Sequence, residues 1–118
     1  MRIGELARRA ELSTSRIRFY ETHGLLPRAE RSGNGYRDYP DGALETLRLI
    51  HGAQGLGFSL NEIKVGLTQA GPNLPSKDDM LEALRRKLAS LDRHITEVTQ
   101  RRRRILELME KFESERIQ

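Results

Sequence analysis

The chain has no cysteine and no tryptophan, and only three tyrosines and three phenylalanines among 118 residues. Without thiols there is no disulfide, no thiolate-held metal, no iron–sulfur cluster and no cysteine nucleophile. Hydrophobic residues at 36% and aromatics at 5% allow a small helical core rather than a large enclosed cavity. No apolar run approaches the ~20 residues of a membrane helix. Met1 runs straight into an amphipathic stretch with no leader-like segment, so a cytoplasmic protein is expected. Catalytic groupings are missing too. There are no paired carboxylates on one face, no nucleophile with its base and no glycine-rich phosphate loop. His23, His51 and His94 are scattered without metal-ligand spacing. Neither an enzyme, nor a metal site, nor a cofactor is expected.

What is present is charge, above all arginine. Lys and Arg total 21 against 17 Asp and Glu, a formal net charge of +4, with a pI of about 9.8. Residues 1–40 carry eight Arg and no Lys against five acids. A guanidinium fork matches a phosphate or a guanine edge with two parallel hydrogen bonds, which an ammonium cannot do. A basic balance of this kind fits a nucleic-acid partner; a codon bias toward Arg is the bland rival.

The order of parts is legible. Ile3, Leu6, Ala7 and Ala10 recur at helical spacing and predict a short first helix, with a turn at Glu11-Leu12. Ser13 is a good N-cap for a second helix, with Thr14 and Ser15 on its exposed first turn. Ile17 faces inward with part of Phe19, which leaves Arg16, Arg18 and Tyr20 on the other faces. Gly24 supplies the left-handed stop. Two arms, at residues 28–32 and 36–39, flank Gly33-Asn34-Gly35, and an Asn-Gly pair is a strong hairpin signal. Pro40 and Asp41 open a third helix with Leu44, Leu47, Ile50 and Ala53 as its buried stripe. Ser59 and Glu62 form a capping box for a fourth helix, whose inner face is Leu60, Ile63 and Leu67. Two prolines and a glycine in residues 71–75 mark a boundary.

After that boundary, Leu81, Leu84, Leu88, Leu91, Ile95, Val98, Arg102, Ile105, Met109 and Phe112 alternate in steps of three and four. That is a narrow heptad seam. A helix over residues 76–112 spans about 55 Å at ~1.5 Å per residue, too long for a small head to cover. Its seam requires another long helix to pair with, and the chain has only this one, so these ten residues are the expected homodimer interface. The run Arg101–Arg104 reads as a solvated face with Glu97–Arg101 and Arg103–Glu107 pairs. Four segments follow: a head at residues 1–71, a linker at 72–75, a dimerisation helix at 76–112 and a short tail at 113–118.

Helix–turn–helix, hairpin, helix pair and long seam form a specific sequence of parts. The strings IGELARRAELSTSRIRFYETHGLL, RSGNGYRDY and GLGFSLNEI closely resemble the MerR family of bacterial transcription regulators, over residues 2 to about 112. The resemblance implies an all-α fold with a small β-hairpin wing. It is a winged helix-turn-helix head followed by a long dimerisation helix that pairs as an antiparallel coiled coil. It implies that residues 13–23 are a recognition helix in the major groove, with Arg18 and Tyr20 at DNA-contacting positions. Thr14, Ser15 and Arg16 match variable positions that tune the sequence read. Arg31, Tyr36 and Arg37 match wing positions on the phosphate backbone, with Asn34 and Gly35 at the tip. Ser59 opens a second wing's helix, whose N–H groups suit a phosphate.

Each assignment has a structural rival: Tyr20 or Phe19 as core, Arg37 holding the hairpin through an acid, Tyr36 packing against the third helix. The implied partners are double-stranded DNA with a pseudo-palindromic operator, a second copy of the chain and RNA polymerase, which places the protein at the nucleoid. The implied mechanism is distortion of operator DNA at promoters whose core elements lie too far apart. The alternative is an excisionase-like protein that bends DNA without a promoter role. Departures from the family are specific. Ser76-Lys77 stands where its metal sensors place a cysteine, His51-Gly52 where its aldehyde sensors do, and Pro40 where a Ser or Thr cap is usual. Sensing of a soft metal through thiolates is ruled out.

Overall fold

The computed structural model describes every residue except Ser32, Asn34, Pro72 and Gln118, and of Ile117 the backbone alone. Five helices and one hairpin follow in the order α1 (Ile3–Ala10), α2 (Thr14–Thr22), β1 (Glu30–Arg31), β2 (Arg37–Asp38), α3 (Ala43–Gly55), α4 (Leu60–Ala70) and α5 (Lys77–Ile117). They fall into two units, Met1–Ser76 and the helix from Lys77 onward. This is the mostly helical fold with a hairpin wing that the sequence implies.

In the first unit α1 packs on α2 and α3, and α3 on α4. Their shared core is Leu6, Ala7, Ile17, Tyr20, Leu25, Leu26, Tyr39, Ala43, Leu47, Ile50 and Ile63. The turn between α1 and α2 is tight because Glu11 adopts the left-handed region (φ 57°, ψ 42°). There the amide of Leu12 reaches back to the Ala7 carbonyl at 3.0 Å. The Ser13 hydroxyl then accepts from the Arg16 amide at 3.1 Å and starts α2. Gly24 (φ 77°) ends it. The Leu25 amide bonds to the Tyr20 carbonyl and the Gly24 amide to that of Glu21, a double closure of the last turn.

The hairpin ladder is two residues per strand, Glu30 opposite Asp38 and Arg31 opposite Arg37. So short a ribbon is marginal alone, and the chain start supports its second strand. The Tyr39 amide bonds to the Met1 carbonyl at 2.7 Å, Arg2 bridges to Asp38, and the Met1 ammonium lies 2.6 Å from Asp38 Oδ1. Helix α3 starts at Ala43, later than expected. Pro40, Asp41 and Gly42 form a turn, and Gly42 caps α3 with its carbonyl alone. The capping box of α4 is formed. The Glu62 amide donates to Ser59 Oγ at 3.1 Å, and the Ser59 amide to Glu62 Oε1 at 3.2 Å.

The second unit is a single helix of 41 residues, about 60 Å at ~1.5 Å per residue. It runs past Phe112 to Ile117, so residues 113–117 are helix rather than tail. Its apolar seam is bare in the single chain, from Leu84 at 44% to Ile95 at 61% exposed. On its surface Arg86 pairs with Glu82. The expected 97/101 and 103/107 pairs are not formed among the described residues, as is common for exposed flexible partners worth only a few tenths of a kcal/mol.

Candidate nucleic-acid interface

Helix α2 sorts its side chains by angle. At about 100° per residue, Tyr20 lies roughly 60° from Ile17 around the helix, and Phe19 roughly 200° from it. Ile17 and Tyr20 are therefore buried together, at 0% and 4% exposure, while Phe19 is 37% exposed. This corrects the expected arrangement, in which Tyr20 faced out and Phe19 in. The Tyr20 hydroxyl donates to Gln54 Oε1 on α3 at 3.2 Å. Thr14, Ser15, Arg16 and Arg18 are all exposed on the same helix.

The exchange creates a ridge that the sequence reading missed. Arg16, Phe19 and His23 stand three and four residues apart on one face. The Arg16 guanidinium lies 5.6 Å from the Phe19 ring centre. The His23 ring centre is 4.1 Å from that of Phe19, with Nδ1 of His23 donating to the Phe19 carbonyl at 2.8 Å. The signal was available in the register of Ile17 alone, since one core residue fixes the helix's inner face.

On the hairpin, Arg31 and Arg37 are directly opposite each other. Two like charges so placed repel, and an anion between or beside them relieves that cost. Arg28 joins them around a polar hollow of about 290 Å³ that also takes in Glu21 and Thr22. Tyr36 is 57% exposed, and its ring packs beneath the Arg2 guanidinium at 4.3 Å. Gly35 holds a positive φ of 84°; Asn34, the other tip residue singled out, lies outside the described residues. Ser59 is exposed at the start of α4. The Glu62 carboxylate already occupies its amide there.

An acid of α2 lines the same hollow. Glu21, its side chain 10% exposed, lies 3.6 Å from Arg37. Burial pushes its carboxyl upward. The Tyr39 hydroxyl, the Ala29 amide and the Arg37 and Arg28 guanidiniums outweigh that and hold it below the ordinary carboxylate value. Burial raises the Tyr39 phenol, and the Glu21 carboxylate raises it further.

A capped helix exposing guanidiniums, set beside an arginine-bearing hairpin, defines a winged helix-turn-helix regulator. The chain matches the MerR HTH family regulatory protein over residues 1–69 and MerR, DNA binding over residues 44–108. It belongs to the MerR family of transcription regulators. Among its relatives is the HTH-type transcriptional regulator HmrR of Rhizobium leguminosarum bv. viciae. That protein is 38% identical over 92% of this chain and 84% of its own length. Two solved structures share the fold. The transcription regulator PbrR691 from Ralstonia metallidurans CH34, in complex with lead(II), has a TM-score of 0.72 at 29% identity, covering 92% of this chain and 84% of that one. HiNmlR, a MerR family regulator lacking the sensor domain and bound to promoter DNA, has a TM-score of 0.61 at 26% identity, covering 92% and 83%.

The present chain has no cysteine and so no thiolate with which to hold a soft metal ion. Among the described residues no three of His, Asp or Glu come together in a way that could hold a metal ion.

Proposed function

We propose that this regulator binds promoter DNA as a homodimer and deforms the operator so that RNA polymerase can engage it. The observation that carries the reading is the Arg31–Arg37 opposition on the wing, next to a helix whose Thr14, Ser15, Arg16 and Arg18 are exposed. In this reading α2 enters the major groove. Arg18 takes a guanine edge by two hydrogen bonds. Arg16, Thr14 and Ser15 tune the choice of sequence, and Phe19 offers an apolar face to a thymine methyl. Arg31, Tyr36 and Arg37 grip the phosphate backbone, with Gly35 beside them on the hairpin and Ser59 opening a second contact. HiNmlR, a relative in fold and family, is bound to promoter DNA.

The second copy comes through α5. Leu81, Leu84, Leu88, Leu91, Ile95, Val98, Ile105, Met109 and Phe112 are all close to half exposed or more in one chain, and a stripe of that length needs a matching helix. Arg102, also on the seam, meets an acid of the partner or extends past its edge. Deforming DNA costs several kcal/mol, which the contacts of two heads offset. The long α5 favours this reading over that of an excisionase-like bending protein. The segmentation into a head at residues 1–71, a linker at 72–75 and a dimerisation helix from 76 follows the same logic.

The test separates base from phosphate contacts on a duplex that the wild-type protein selects from a randomised pool. Arg18→Ala weakens binding to that duplex by about 1–3 kcal/mol and relaxes the choice at one base pair. Arg37→Ala weakens selected and random duplexes alike and lowers the salt slope by about one unit. An Arg18→Ala loss equal on both duplexes would make that residue a phosphate contact. Failure of the wild type to prefer any duplex would overturn the reading.

A further inference from the structure

Among the described residues, Glu21 is an acid on α2 enclosed by the basic hairpin, and its surroundings are unlike those of a chance surface charge. Oε2 accepts the Tyr39 hydroxyl proton at 2.6 Å. Oε1 accepts the Ala29 amide at 3.0 Å. The Arg37 guanidinium stands 3.6 Å from Oε2, with its own side chain still 46% exposed. These partners bracket the hairpin. Ala29 directly precedes β1, Tyr39 directly follows β2, and Arg37 is on β2 itself. A single carboxylate at the C-terminal end of α2 thus holds both roots of the wing and one of its cations.

The ladder needs such a hold, because two residues per strand do not fix a hairpin's direction. The chain start secures β2 through Met1 and Asp38, while β1 is joined to the body through Ala29. A carboxylate is suited to this, since charge-assisted hydrogen bonds are the shorter and stronger kind and its two oxygens accept from separate directions.

We propose that Glu21 is the positioning residue that fixes the wing, and with it Arg37, relative to helix α2. This rests on the reading of α2 and the wing as a DNA interface. It departs from simple charge arithmetic in a useful way. Glu21 is an anion beside groups that face phosphates. If it acted through its charge alone, removing it would tighten binding to any duplex, because one repulsion is gone. If it positions the wing, removing it weakens binding to the selected duplex, where groove and backbone contacts must coincide.

The experiment uses the full chain with Glu21→Gln, Tyr39→Phe and the pair together. The probes are a duplex selected by the wild type from a randomised pool and an unrelated duplex of equal length. Glu21→Gln is expected to lower affinity for the selected duplex about tenfold, some 1.4 kcal/mol, and to leave the unrelated duplex unchanged or slightly tighter. Tyr39→Phe, which keeps the core ring and loses one donor, moves the selected duplex the same way by less. The double variant loses less than the sum of the two. Urea midpoints confirm that each variant is folded. Should Glu21→Gln not fold, Tyr39→Phe alone decides. Equal or tighter binding of the selected duplex by the folded variants overturns the proposal and leaves the DNA reading intact. A wild type that selects no duplex overturns both.

Discussion

The phenol of Tyr20 on α2 donates a 3.2 Å hydrogen bond to Oε1 of Gln54 on α3, across 34 residues of sequence. The ring is almost wholly buried, so the bond fixes a core side chain as well as two helices. Replacing Tyr20 by Phe keeps the ring and deletes the donor, and Gln54 is exposed enough to find water. The expected cost is about 0.5–1.5 kcal/mol, read as a lowered urea midpoint at unchanged slope. The salt dependence of DNA binding stays as in the wild type. A slope reduced by about one unit would instead make the hydroxyl a phosphate contact.

Glu11 is the non-glycine residue with positive φ among the described residues, and it is exposed. Glycine is the usual occupant where a helix closes through a left-handed residue, and a side chain there is held at a cost of about 1–2 kcal/mol. Glu11→Gly relieves that strain but also loosens the unfolded chain. A net gain of about 0.5 kcal/mol is expected, visible as a raised midpoint in thermal or urea unfolding. A loss would show that the Glu11 side chain holds the turn.

The elements that sequence reveals are those set by local chemistry. Ser13, Gly24, the Ser59–Glu62 box and the glycines of the hairpin each act on the backbone beside them, so the starts of α2 and α4, the stop of α2 and the wing were readable. The heptad seam was readable for the same reason, as a repeat along one helix. What escaped depends on distance. The exchanged faces of Tyr20 and Phe19 are the exception, since the register of Ile17 along α2 already assigns them. The edge that Met1 and Arg2 lend to β2 joins residues 37 positions apart. The hold of Glu21 on Ala29 and Tyr39 has no spacing signature. The sequence reading left Arg37 open between phosphate and acid, and the geometry provides for both, with one face toward Glu21 and nearly half the side chain exposed.

Glu21 also makes stability depend on pH. Its folded carboxyl titrates below the ordinary value of 4.5. Between the two values the unfolded chain binds a proton that the folded chain does not, so stability rises with pH there. The contribution is fully present above about 4.5 and is lost as pH falls through the folded value. Tyr39 acts at the other end. Its phenol is raised above 10.0, so its contribution is complete below that pH and is lost as pH rises through the folded value. Unfolding free energy followed from neutral pH down through 4.5 should fall less steeply for Glu21→Gln than for the wild type. Parallel curves would mean that the bonds to Tyr39 and Ala29 do not survive in solution.

The bare seam of α5 carries the last expectation. Leu88 and Leu91 are 59% and 46% exposed in the single chain, at successive core positions of the heptad pattern. In a paired helix each would fill a hole on the partner, and burying such a side chain contributes about 1.5–3 kcal/mol. Placing a carboxylate at both positions sets four charges in the seam of a two-chain rod, where neither solvation nor a counter-ion is at hand. Leu88→Asp with Leu91→Asp should therefore sediment as a monomer, while the circular dichroism of the first unit's helices persists. DNA affinity then falls steeply, because one head loses the gain of a tethered second one. A variant that still sediments at twice the chain mass would move the dimer contact away from this stripe.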